Sequence, residues 1–372
     1  MKLSAVIVLL GACASSSIAT GVKLESVPEG GVQPQVAVQP GGAVHLVYLK
    51  EQAGGADIRY TRRAAGSTQW DPPVTVNSVA GSAVATGTIR GAQLALGKSG
   101  RVHVVWNGGA KEKDYATAPL LYARMADDGK SFSPQQNLLG ETRNLDGGAS
   151  IAATEKGGVF IVWHASPKAA SSESDRLVYV TRSTDDGKTF TAAAPAGGVA
   201  AGVCPCCSLK AFTAPDGSLL TLYRNALAPA ERDMTLLVSG DGGLTFKASP
   251  VHPWPVAACP MSSAALTGAG PATRAAWETN SAIYTSLLSG NIEPVAVSSG
   301  QARHPALAVN ARGETLVSWS IGTGWKRGGE LGWVILDAAG KPGEKRGTAP
   351  GVPVWSHTAA FAAADGDFVI LH

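Results

Sequence analysis

Apolar and polar positions alternate over short runs along most of the chain, and each run follows a second apolar segment and a glycine-containing turn. The pattern begins as Gln35-Val36-Ala37-Val38, turns through Pro40-Gly41-Gly42 and continues as His45-Leu46-Val47-Tyr48. It returns as Gln93 to Leu96, Ser99-Gly100 and His103-Val104-Val105-Trp106, then as Ile151 to Ala153, Lys156-Gly157-Gly158 and Phe160-Ile161-Val162-Trp163. Further copies end at Tyr223, Trp277 and Trp319, and a half-length copy runs through Asp365-Gly366 to His372. A period of two marks strands with unlike faces. Steps of roughly 40 to 60 residues between the closing aromatics match a four-stranded propeller blade. The pattern therefore predicts an all-β fold, a β-propeller of four-stranded blades. Six full copies and one half copy give seven blades, with six as the alternative if the last two strands lie outside the ring. Val22 to Val27 reads as an outer strand that pairs with the half copy and closes the ring, removing exposed sheet edges. The closing aromatics are expected to fill the space between blades.

The first residues break the pattern. Lys2 followed by the apolar run Leu3 to Leu10 reads as an export signal and is too short to span a bilayer. Two cleavage readings stay open. Leu10-Gly11-Ala12-Cys13 fits a bacterial lipoprotein, making Cys13 the lipidation site and attaching the protein to a membrane by lipid alone; Ser17-Ile18-Ala19 fits ordinary signal peptidase. Residues 1–20 are assigned to the signal and 21–372 to a single propeller domain, exported to the periplasm, the outer membrane or the medium. The hydrophobic share of 45% is too high for a disordered chain. A net charge of +3, dispersed along the sequence, argues against a nucleic-acid partner.

A second signature falls between the third and fourth strands of several copies. Ser183-Thr184-Asp185-Asp186-Gly187-Lys188-Thr189-Phe190 and Ser239-Gly240-Asp241-Gly242-Gly243-Leu244-Thr245-Phe246 share one form; Met125 to Phe132, with Asp127, lacks the first Ser, and Arg63 to Trp70 carries Ala65 in place of the Asp. The form suits a tight hairpin in which the Asp carboxylate accepts backbone N–H bonds, Gly takes a positive φ and the aromatic tucks under the loop. These segments match the Asp-box of sialidase-like propellers, and the chain resembles that superfamily. The resemblance implies a structural role for Asp127, Asp185 and Asp241, away from any active site. It also implies what a hydrolase of this kind requires: three arginines on the substrate carboxylate, a Tyr activated by a Glu, and an Asp as acid/base. The first copy reads Gly31-Val32-Gln33-Pro34-Gln35, with no arginine where the family places its first. Arg303-His304-Pro305 in the sixth copy and Arg90 in the second are the substitutes, and no Tyr and Glu pair is recognisable, since Glu278 directly follows Trp277.

The remaining chemistry is sulfur. Cys204-Pro205-Cys206-Cys207 and Cys259-Pro260-Met261 occupy equivalent positions ahead of the first strands of the fourth and fifth copies. The same register brings Arg90, Asp146, Arg303, His304, Trp355 and His357 to the entrances of inner strands, where propellers build ligand sites, and puts His252 in a Pro-rich loop able to cover the mouth. Three readings of the cysteines stand: two disulfides, one of them joining neighbouring blades; a soft-metal site for copper, with Met261 as thioether ligand and His304 or His357 as further ligands; or thiol redox chemistry at the Cys204-x-x-Cys207 spacing. The sequence thus points to a module that binds a small molecule, a glycan or a soft metal at the channel mouth. A glycoside hydrolase acting on acidic sugars, with Arg90 and Arg303 holding the carboxylate, and a scaffold for an envelope protein partner are the competing functions.

Overall fold

The computed structural model describes residues 21–52, 55–109, 114–168 and 172–372. The predicted export signal, with Cys13, lies outside them. The alternating runs form antiparallel sheets that stand around a central axis as seven blades. The first blade is Val32–Val38, Val44–Gln52, Gly55–Arg63 and Val74–Thr75, and the next five repeat this order of four strands. The seventh is built from both ends of the described chain: Ala359–Ala362 pairs with Phe368–Leu371, and Val22–Glu25 lies parallel to the latter, Val22 opposite Phe368 and Glu25 opposite Leu371. Seven blades are present, with the ring closed by the Val22 segment as its pattern predicts. Arg63 fastens this closing strand to the first blade through Glu25 at 2.5 Å, while its guanidinium lies 4.2 Å from the Trp70 ring.

Blades cohere through their faces. Tyr48, Trp106, Trp163, Tyr223, Trp277 and Trp319, the closing aromatics, all fall on second strands and are buried. Val47, Ile58 and Tyr60 of the first blade form one apolar cluster with Leu94, Val104 and Trp106 of the second, and similar clusters follow around the ring. His45 and His103 recur at one position of the second strand and are wall residues: each Nδ1 meets a tyrosine hydroxyl of its own blade, Tyr60 at 2.8 Å and Tyr122 at 2.7 Å. Among the described residues, no helix is long and apolar enough to cross a membrane.

The Asp-box turns are built as the hairpin argument requires. Asp185 accepts from the N–H groups of Lys188 and Thr189 and from the Thr189 hydroxyl, and Ser183 donates to Asp185 while accepting from Gly187 N–H. Asp241 repeats the arrangement with Leu244, Thr245 and Ser239. These bonds favour the ionised carboxylate and hold Asp185 and Asp241 well below the usual range. Gly187 takes φ 74, and a Cβ there would strike the Tyr122 hydroxyl, so Gly is demanded twice over. The box aromatic reaches back: Phe190 meets Tyr122 edge-on at 4.8 Å, and Phe132 meets Tyr60 at 5.4 Å. One expectation fails. In the box lacking its Ser, Asp127 does not cap the turn; Asp128 does, accepting from Lys130 and Ser131, while Asp127 pairs with Arg101 at 2.8 Å. With Met125 where Ser183 and Ser239 stand, no hydroxyl holds the first carboxylate in the loop, and the next residue takes over.

Candidate functional site

Strand alternation decides which side chains gather beneath the loops that lead into the inner strands. The residue after each closing aromatic points away from the face that the aromatic packs. Leu49 follows Tyr48 in the first blade, and in the second to sixth blades this residue is Asn107, His164, Arg224, Glu278 and Ser320, all polar and all buried. Four of them reach the segment that enters the following blade. Asn107 donates to the Asp146 carbonyl at 3.2 Å; His164 Nε2 meets the Cys207 carbonyl at 2.8 Å; Arg224 Nε donates to Ser262 Oγ at 2.6 Å; Glu278 Oε1 lies 3.9 Å from Arg303 Nε. A ring of buried polar groups thereby sets the entrance segments, and the cysteines sit within it.

Cys206 and Cys259 form a disulfide that joins the entrance segments of the fourth and fifth blades. The expected second bridge is not formed: Cys204 and Cys207 are buried thiols with their sulfurs 2.8 Å apart, and the Cys204 sulfur is 3.6 Å from that of Cys206. Backbone bonds from Cys204 N–H to the Arg224 carbonyl and from Gly147 N–H to the Pro205 carbonyl fix this segment. A Cβ on Gly147 would strike the Cys207 carbonyl oxygen and the His164 ring, so the approach of the third blade's entrance requires glycine. Met261, carried by the other half of the disulfide-linked pair, packs against the cluster of Cys204, Cys206 and Cys207 with φ 52, an uncommon backbone for a residue with a Cβ.

The two thiols are unequal. Burial raises Cys207, but Cys204 S–H donation, the Arg224 guanidinium and Ser262 outweigh it and bring Cys207 down to about 7. Cys204 is pushed up, first by sharing its proton with Cys207 and then by burial. Of the two sulfurs, Cys207 is the one that gives up its proton first. Beside it, burial raises Glu278 to about 7 against the pull of Arg303 and Arg224, and its Oε2 has no hydrogen-bond partner. A carboxyl whose folded pKa exceeds its unfolded value contributes fully below the unfolded value of 4.5 and loses that contribution as pH rises through about 7. Glu278→Gln is therefore expected to raise the unfolding midpoint at pH 8 and to change it little at pH 4. Equal shifts at both pH values would show that the Glu278 charge is not the cost.

The other sequence candidates divide between two places. Arg90 is ion-paired with Asp146, and Arg90 Nε also donates to the Asp146 carbonyl at 3.2 Å; both line a cleft of about 430 Å³ with Asn107, Tyr115 and Arg176. His304 and His357 line a separate cavity in the central channel, their rings 6.3 Å apart. Arg303 faces Glu278 rather than open space, and Trp355 packs edge-on against Trp325 at 4.5 Å. His252 does not cover the mouth: it ends the outer strand Lys247–His252, accepts from Trp277 Nε1 at 3.0 Å and lies 4.4 Å from the Tyr284 ring, between two blades. Tyr284 stands opposite Trp277 across the strand pair and Glu278 opposite Ile283, so Tyr284 and Glu278 point to opposite faces and cannot form a nucleophile pair. Sequence reasoning missed Arg224, Arg176, Ser262 and Lys210. The recurrence of a polar residue directly after the closing aromatic was the available sign for Arg224.

No protein-family model and no curated protein matches the chain. Among solved structures, a protein of unknown function from Dyadobacter fermentans is 15% identical with a TM-score of 0.53, covering 82% of this chain and 94% of that one. The alpha-L-arabinanase of Penicillium chrysogenum, solved with arabinobiose, gives a TM-score of 0.56 at 11% identity over 85% of this chain and 95% of its own. A Hadza microbial sialidase gives 0.51 at 14% identity; the match covers 78% of this chain and 63% of the sialidase. At such identities the likeness establishes the fold, that of the sialidase and arabinanase propellers, and the resemblance read from the Asp-boxes holds at that level.

Proposed function

We propose that the protein binds a soft metal ion, Cu(I), between Cys204 and Cys207 with Met261 as the third ligand. The observation that carries this reading is the pair of buried thiols 2.8 Å apart, with the Met261 side chain packed against them. Thiolate and thioether donors select Cu(I) among biological metals, and a methionine ligand disfavours zinc. The Cys206–Cys259 disulfide serves the site by holding the Met261 segment against the Cys204 segment. Arg224, buried beside Cys207, offsets the negative charge of two thiolates around one monovalent ion. Binding releases the Cys204 proton, and below the Cys207 value a second proton as well. Anaerobic titration of protein with the Cys206–Cys259 disulfide intact and Cys204 and Cys207 reduced, against a coloured Cu(I) chelator, is expected to give one tightly held equivalent, and protein in which Cys204 and Cys207 have been oxidised to a disulfide none. Absence of retention by the reduced form, or equal retention by the oxidised form, would overturn the assignment.

A second reading places an acidic sugar in the cleft beside Arg90 and Asp146. Tyr115 is 73% exposed there and offers an aromatic face, with Arg90, Asn107 and Asp146 as polar partners. Among the described residues lining the cleft, Asp146 is the one carboxylate, so the two-carboxyl arrangement of glycoside hydrolysis is not assembled. This reading is binding without turnover. Calorimetric titration with sialic acid is expected to give a measurable affinity that Tyr115→Ala removes, and release of product from a chromogenic sialoside would contradict it.

A further inference from the structure

The inner strand Lys210–Thr213 puts an ammonium group in the central channel. Lys210 Nζ donates to Gln93 Oε1 at 2.7 Å and lies 3.4 Å from Gln35 Oε1, neutral acceptors from two other blades. Among the described residues, no Asp or Glu lines this end of the channel, where the free space is about 100 Å³. His304 and His357 complete it from the sixth and seventh blades. His304 Nδ1 meets Ser263 Oγ at 3.1 Å and, accepting from that hydroxyl, leaves Nε2–H to donate to a ligand; His357 Nδ1 donates to the Thr358 carbonyl at 3.0 Å, so its Nε2 donates to an anion once the ring takes up a proton. Ser208 and Ser263 add hydroxyls. A buried charge is normally paired, and here the described lining holds a cation, two imidazoles and the hydroxyl residues Thr88, Ser208, Ser263 and Thr358 with no anionic side chain to answer them.

We propose that the narrow end of the channel is a binding site for a small oxyanion, centred on Lys210. The lining decides the class of ligand: an ammonium group beside imidazoles and hydroxyls, with no carboxylate among the described lining residues, suits a small oxyanion such as phosphate, sulfate or acetate. A cation is excluded by charge, because it would share the cavity with the lysine ammonium. Burial alone lowers Lys210 to about 8, and the histidines are lowered further, His304 to about 3 and His357 to about 4, burial being the main cause. An anion reverses that penalty at each of the three groups. The site is separate from the thiol pair and from the Arg90 cleft, and it stands or falls independently of both.

The test is thermal unfolding of the full chain at constant ionic strength, with chloride replaced in turn by phosphate, sulfate, formate or acetate at about 10 mM. Phosphate and sulfate alone raising the midpoint would identify a tetrahedral inorganic anion, and the carboxylates alone an organic acid; either result supports the site. Lys210→Met is expected to abolish the response while unfolding at a higher temperature than the parent in chloride, since a buried charge is replaced by an apolar chain. His357→Asn, which keeps the lysine, is expected to weaken the anion at least tenfold by calorimetry. Oxyanions that stabilise no more than chloride, or an undiminished response in Lys210→Met, would overturn the proposal.

Discussion

Replacing Cys207 by serine is expected to weaken Cu(I) binding by more than about a hundredfold, beyond what changes outside the ligand shell cost, with the fold intact. Serine keeps the backbone that matters, since it is the Cys207 carbonyl that meets His164 and its N–H that bonds the Cys204 carbonyl. What it loses is the thiolate favoured by Arg224 and Ser262. The pH dependence follows with a definite sign. Above about 7, Cys207 is already deprotonated and only the Cys204 proton must leave; below it, protons compete for both sulfurs. As pH is lowered, affinity is therefore expected to fall by about tenfold per unit down to about 7 and by about a hundredfold per unit below it. Met261→Leu is expected to cost less than either cysteine. Chelator competition between pH 6 and pH 9 measures both variants, and a Cys207→Ser protein that binds as tightly as its parent would remove the metal site altogether.

Trp277→Ala is expected to cost about 3–5 kcal/mol of stability. The ring is fully buried between the fourth and fifth blades against Leu222, Leu236 and Leu266, and its Nε1 donates to His252. Truncation opens a cavity on both blade faces and leaves the half-buried His252 nitrogen without its donor, two penalties of the same sign. Trp277→Phe retains most of the apolar contact and loses the hydrogen bond, so about 1–2 kcal/mol is expected to separate the two variants' costs from one another at the least. Urea unfolding followed by circular dichroism gives both values. An alanine variant within 1 kcal/mol of the parent would mean that the blades slide together to fill the space, contrary to the close packing that the ring implies.

Repetition made the fold legible. Each closing aromatic repeats a single structural fact, a large side chain facing the next blade, and copies so alike mark the strands without any knowledge of their contacts. The Val22 segment was legible for the same reason, since its pattern is that of a strand lacking a partner in its own copy. The site was legible only in part. Cys204, Cys206, Cys207, Cys259 and Met261 stood out by type and spacing, yet which sulfurs join depends on how far apart two blades hold their entrance segments, a quantity absent from spacing. Arg90 and Arg303 were recognised by position, but their charges are already engaged by Asp146 and Glu278, carboxylates contributed by neighbouring blades. Lys210 carried no signal at all. One lysine at the head of an alternating strand reads as surface, and only closure of the ring turns that position inward. The Asp127 error has a local cause, because the sequence shows two adjacent aspartates and not the hydroxyl that selects between them.

The strand Val22–Glu25 cannot find its partner until Phe368–Leu371 has been made. During synthesis the first strand must wait while six blades assemble behind it, and throughout that interval the growing body presents two open sheet faces to the surrounding solution. The last step joins an early-made strand to a late-made one. Loss of either short strand would leave six blades formed and the seam unsealed, so the kinetic hazard of this protein lies at its seam, far along the sequence from the sulfur and lysine chemistry that the finished ring displays.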